Sequence, residues 1–86
     1  MRQVRFGRVA SGSGSATVTF GVALPAGQTP YIIGNVLASS TNQVFSVHFS
    51  NITNTGFTYT KTFVYTTSGT GGLATGEAFD WWAWTT

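Results

Sequence analysis

The segment Phe79-Asp80-Trp81-Trp82-Ala83-Trp84, close to the C-terminus, constrains the fold most. Along an extended strand successive side chains point to opposite faces. Phe79, Trp81 and Ala83 therefore share one face, and Asp80, Trp82 and Trp84 share the other. A strand in a small sandwich has one dry face, yet tryptophan stands on both faces here. Monomers seldom leave an apolar patch of that size in water. The pattern predicts that neighbouring copies cover Trp82 and Trp84, in a trimer or another cyclic assembly. Each such ring removes about 150–250 Å² from water, worth several kcal/mol per subunit at about 25 cal/mol per Å². Residues 31–38 show the same two-faced apolarity, which adds Ile32 and Val36 to the expected contact. Two readings compete: a platform on which tryptophan stacks a sugar ring, and an ordinary core with a frayed end.

The alternation has period two throughout, with no helical window. Strand-like segments occupy residues 4–7, 16–20, 31–38, 44–50, 57–65 and 77–84, and turn-forming residues separate them. Spacing of this kind predicts one all-β domain, a six-stranded antiparallel β-sandwich, over residues 1–86. Residues 39–42 and 51–56 read as turns, the second with Gly56 supplying a positive φ. Residues 68–76 carry four glycines and should be the most mobile loop. Pro30 suits the entry to a strand, because it cannot donate to a ladder.

At 86 residues a single core is marginal, and such chains usually rely on disulfides, metals or partners. There is no cysteine, so disulfides and thiolate metal sites are excluded. His48 is the only histidine and makes no metal site alone, although copies from several chains could converge. No cofactor is expected. Charged residues are 7% of the chain, against roughly a quarter in ordinary domains. Arg2, Arg5 and Arg8 cluster at the N-terminus, which is not the broad basic face of a nucleic-acid binder. No apolar run approaches the roughly 20 residues that span a bilayer, and no signal pattern leads the chain. Hydroxyls and small residues supply the polarity, as is frequent in proteins exposed outside cells or on virus particles.

Taken in order, four segments resemble the H-type lectin domain and the related C-terminal domains of bacteriophage tail fibres. Val4-Arg5-Phe6-Gly7 is similar to the opening "QWG" strand of fibre-tip domains. Thr17-Val18-Thr19-Phe20, followed by Pro25, Pro30 and Tyr31-Ile32-Ile33, resembles their "TVTF…F…P.V" segment. Asn51-Ile52-Thr53-Asn54-Thr55-Gly56-Phe57 resembles "NVT.TGF", and Trp81-Trp82-Ala83-Trp84 stands where the family has "WIAIG". The resemblance implies a six-stranded sandwich that assembles as a homotrimer. It further implies the C-terminal tip of a longer fibre, at the distal end of the virion, touching a bacterial surface glycan or envelope receptor.

Animal lectins of this type bind N-acetylgalactosamine between subunits, and their site does not carry over. The family's arginine on the fourth strand falls near Val44. Its Trp-His pair falls near Val64-Tyr65, and its N-terminal acidic contact meets only Ser and Gly. That departure favours a fibre tip over a secreted lectin. The expected ligand contacts are Tyr65 as a stacking ring, with His48, Asp80 and Arg5. Asp80, lying among tryptophans, needs a partner, since an unpaired carboxylate there is costly. Asn51-Ile52-Thr53 fits a glycosylation triplet but reads as turn chemistry. No enzyme is expected, because Glu77 and Asp80 are three apart on a strand and so on opposite faces. A Ser-His-Asp set likewise lacks a nucleophile elbow.

Overall fold

The computed structural model describes residues 2–38 and 40–85. Seven strands run in order: β1 (Val4–Val9), β2 (Ser15–Thr19), β3 (Tyr31–Val36), β4 (Gln43–Ser50), β5 (Gly56–Tyr65), β6 (Gly71–Leu73) and β7 (Phe79–Trp84). They form two antiparallel sheets with no helix among the described residues. The small sheet has the order β1-β7-β3, and the large sheet has β2-β5-β4 with β6 also paired to β5. The aromatic strand β7 is thus the centre of its sheet.

Two expectations about strands are corrected. The glycine-rich stretch 68–76 contains β6, a seventh strand, and is tied along its length. Tyr65 N–H donates to Thr70 O at 2.8 Å, Ala74 N–H to Lys61 O at 3.0 Å and Gly12 N–H to Thr75 O at 2.7 Å. Glu77 and Ala78 precede β7, which begins at Phe79. Ser39, in the expected turn 39–42, lies outside the described residues.

The small sheet is organised by one tryptophan. Trp81 sits on the inner face between Gly7 of β1 and Gly34 of β3, all in one row of the register. A Cβ on Gly7 would stand 2.9 Å from the Trp81 ring, and one on Gly34 would meet Phe49 at 2.7 Å and Val47 at 3.0 Å. Glycine at both positions makes room for rings that larger neighbours would displace. With Gly7 held inward, Val4 and Phe6 must point out. The apolar face of β1 is therefore its outer face.

The same parity rule corrects the role of Ile32 and Val36. Both lie in inner rows of the small sheet, beside Ala83 and Phe79, and pack against the core rather than facing a neighbour. The outward residues of β3 are Tyr31, Ile33 and Asn35. The core itself joins Phe20, Leu24, Phe57, Tyr59, Phe79, Trp81 and Ala83. Ring contacts set the alignment of the sheets: Phe57 meets Trp81 at 5.2 Å and Tyr59 meets Phe79 at 4.8 Å.

β4 runs along one edge of β5, so β2 and β6 share the other edge end to end. Lys61 lies at their junction, its N–H donating to Gly14 O at 2.7 Å. Its side chain is fully buried, where alternation alone would place an apolar residue. The ammonium donates to Glu77 O and lies 5.8 Å from the centre of the Phe79 ring. Burial holds its pKa below the ordinary lysine value, and the Glu77 charge opposes that shift.

A consequence for pH follows. The unfolded chain binds the Lys61 proton more tightly than the folded one, so stability should rise with pH between the lowered folded pKa and the unfolded value of about 10.4. Urea midpoints measured across the alkaline range check this, and Lys61→Met should flatten the rise.

Gly56 does not take a positive φ; that conformation falls instead to Asn51, at φ 49°. Gly56 is required for a different reason: a Cβ there would collide with Val18 O on β2.

β5 has ten residues and β7 has six, or about 34 Å against about 20 Å of strand. Because Phe79 sits over Tyr59, the Phe63–Tyr65 end of β5 extends beyond the start of β7. The molecule is accordingly elongated, 46 × 19 × 17 Å, with a radius of gyration of 14.0 Å.

Candidate functional site

The two outer faces differ in chemistry. On the large sheet, hydroxyls pair across strands: Ser46 with Thr62 at 2.8 Å, Thr17 with Thr58 at 3.3 Å and Ser15 with Thr60 at 3.5 Å. His48 is exposed within this carpet, opposite Thr60. Toward the Tyr65 end the same face turns apolar, with Val44, Val64 and Leu73 exposed.

The outer face of the small sheet is apolar. Its register stacks three rows: Val4–Trp84–Tyr31, then Phe6–Trp82–Ile33, then Arg8–Asp80–Asn35. Phe6, Tyr31, Ile33 and Trp82 are 73%, 59%, 54% and 41% exposed, leaving roughly 500 Å² of contiguous apolar surface with Val4 and Trp84 included. Tyr31 and Trp84 add a ring pair at 5.8 Å.

The third row ends the patch with charge. Arg8 grips Asp80 in a two-pronged pair, Nε to Oδ1 at 2.6 Å and Nη2 to Oδ2 at 3.0 Å. The partner that Asp80 requires therefore comes from its own chain, one strand away. The pair holds the Asp80 carboxyl below its usual pKa and raises that of Arg8. Between the second and third rows lies a groove of about 370 Å³, lined by Phe6, Gly7, Arg8, Asp80, Trp81 and Trp82.

Arg5 lies on the inner side of β1, at the end of the sheet away from Asp80. Its guanidinium donates to Val22 O at 2.8 Å, Ala23 O at 3.3 Å, Val4 O at 2.9 Å and Gln3 Oε1 at 3.3 Å. Arg5 thus ties the 20–24 loop to β1 and stands apart from Tyr65, His48 and Asp80. Tyr65 is 39% exposed at the overhanging end of β5, its ring set edge-on to Phe63 at 5.2 Å. The hairpin it opens is closed by Gly69 N–H donating to Tyr65 O at 2.9 Å, with Gly69 at φ 74°.

The expected contacts are not brought together. Asp80, Trp82 and Trp84 share the outer face of the small sheet, His48 lies on the outer face of the large one, and Tyr65 occupies the far tip. No group of three metal-ligating side chains forms among the described residues. Alternation of the sequence missed Phe6, Ile33 and Arg8 as members of the Trp82 face. The glycines at 7 and 34 hold the inward parity of β1 and β3, and only their pairing with Trp81 reveals it. No family model matches the chain, and no curated protein or solved structure matches it.

Proposed function

We propose that the chain is the host-attachment tip of a bacteriophage tail fibre, a homotrimer that binds bacterial surface carbohydrate. The observation that carries this reading is the contrast between the faces. Hydroxyls dominate the large sheet around Thr58, Thr60 and Thr62, with Val44, Val64 and Leu73 exposed at its far end, while Trp82, Trp84, Tyr31, Ile33, Phe6 and Val4 leave the small sheet apolar. In a trimer the apolar rows pack between copies and the overhanging ends carrying Tyr65 remain free. Tyr65 then offers its ring to a sugar, with the backbone of the glycine-rich hairpin beside it. His48 lies outside that contact and takes part in recognition only through an extended receptor.

The test is adsorption. Tyr65→Ala should weaken binding to host envelope polysaccharide at least tenfold with an unchanged denaturation midpoint. Wild-type protein that binds no polysaccharide on a broad envelope array would refute carbohydrate recognition.

A second reading is a structural cap that registers and closes a fibre while other regions bind the receptor. It is favoured by the internal use of Arg5 and Asp80, whose charged groups are already engaged within the chain. Deletion would then abolish fibre assembly, whereas Tyr65→Ala would leave adsorption intact.

A further inference from the structure

We infer that the outer face of the large sheet at the Tyr65 end is a second receptor contact, selective for uncharged sugars that carry a methyl group. The inference rests on the proposed carbohydrate reading and states which class of sugar the free tip takes. Two rows of the register build the surface. Val44 and Val64 stand beside Gly71 in the last row, and Ser46 and Thr62 stand beside Leu73 in the row before it. Val44, Val64 and Leu73 are 61%, 44% and 55% exposed. Neighbouring positions on a strand point to opposite faces, so the patch is on the other side of β5 from Tyr65. It also lies outside the apolar rows of the small sheet that a trimer would cover.

Gly71 shapes the patch. A Cβ there would strike Phe63 O, so the place beside Val64 stays without a side chain. The result is a shallow hollow flanked by Val64 across the strands and by Leu73 along β6. A methyl group seats among such aliphatic side chains, because burying apolar surface is favourable. One row away the Ser46 and Thr62 hydroxyls meet at 2.8 Å. Each hydroxyl has one donor and two acceptor positions, so the pair keeps capacity for hydroxyls of the same ring. The apolar corner and the hydroxyl edge match the two kinds of surface on a deoxy sugar.

Charge decides against acidic and basic sugars. Among the described residues, the only ionisable side chain on this face is His48. It stands four residues along β4 from Val44, about 14 Å away. Lys61 is buried, and its ammonium donates to Glu77 O on the inner side. Phe79 packs on Tyr59 and Trp81 on Phe57, which sets the Arg8–Asp80 pair level with Thr58. That is six residues from Val64, or about 20 Å along the strand. The separation is more than twice the Debye length of about 8 Å at physiological ionic strength. A carboxylate brought to the patch would lose water and gain no counter-charge.

The test titrates the whole chain with methyl pyranosides of the glucose, galactose and mannose series. Each series is used with a methyl, a hydroxymethyl or a carboxylate group on the ring carbon beside the ring oxygen. In at least one series the methyl form should shift the Val44, Val64 and Leu73 methyl resonances, bind at least threefold more tightly than the hydroxymethyl form, and keep that affinity as salt is raised. The carboxylate form should bind weakest. Val44→Thr and Val64→Thr together keep the side-chain shape and should erase the preference. Val22→Thr, at an exposed valine of the 20–24 loop, should leave it unchanged. The inference is overturned if no methyl form shifts these resonances, if the carboxylate form binds as tightly, or if the preference survives in the double variant. A native mass that drops in the double variant would assign the patch to another copy of the chain and likewise overturn it. Adsorption of an acidic polysaccharide that depends on Tyr65 would overturn this selectivity and leave the proposed function standing. Absence of binding to any polysaccharide would remove both.

Discussion

Trp81→Ala is expected to destabilise the fold by about 3–5 kcal/mol, the range for emptying a large aromatic site in a core. Trp81 contacts Phe20 at 5.6 Å and Phe57 at 5.2 Å, and it occupies the middle row of the small sheet. Its loss therefore opens the core at the point where the two sheets meet. For a domain of this size such a change consumes most of the stability. Gly34→Val should act through the opposite fault, overpacking, at about 1–3 kcal/mol or more. Its new side chain would press on Phe49 and Val47. Gly21→Ala serves as the control, because nothing lies within 4 Å of a Cβ there. Chemical denaturation at matched protein concentration measures all three, since the proposed assembly would make stability depend on concentration.

The second large effect concerns association. Trp82→Glu should leave the folded chain intact and dissociate the proposed trimer. Trp82 is on the outer face and touches no residue of the buried cluster by parity, so the core loses little. A carboxylate forced into a dry contact without a partner costs several kcal/mol. At about 1.4 kcal/mol per tenfold, that weakens association at least a hundredfold. Ile33→Glu should do the same from the adjoining strand, whereas Ile32→Glu should unfold the chain. Ile32 differs from Ile33 by one position and faces the core. The contrast between these neighbours separates an outer contact from an inner one, read as native mass against loss of β-sheet circular dichroism.

Much of the fold was legible because β alternation is local. The opposite faces of Phe79-Trp81-Ala83 and Asp80-Trp82-Trp84 follow from strand geometry alone, and the structure places the first set inside. Assigning the inward parity of β1 and β3 required a long-range fact. Gly7 and Gly34 become inward positions only when their pairing with Trp81 is known, and that pairing reaches far along the chain in both cases. The inward side of Ile32 and Val36 is hidden for the same reason: in a segment apolar on both faces, composition does not choose the side.

β6 is not legible in the sequence, because Gly71 and Gly72 carry no strand propensity of their own. Gly71 belongs there because β5 passes so close that a Cβ would strike Phe63 O. Arg8 and Lys61 show the same dependence on register. Arg8 pairs with Asp80 because antiparallel alignment puts them opposite each other on one face. Lys61 is drawn inside by a carbonyl from the connection preceding β7.

The central claim is that the outer face of the small sheet, built on Trp82 and Trp84, is a contact between copies of this chain. Multi-angle light scattering of the native protein tests it most directly. The account predicts the mass of three chains, falling to that of one chain in Trp82→Glu. A wild-type mass equal to one chain across the micromolar range would contradict it.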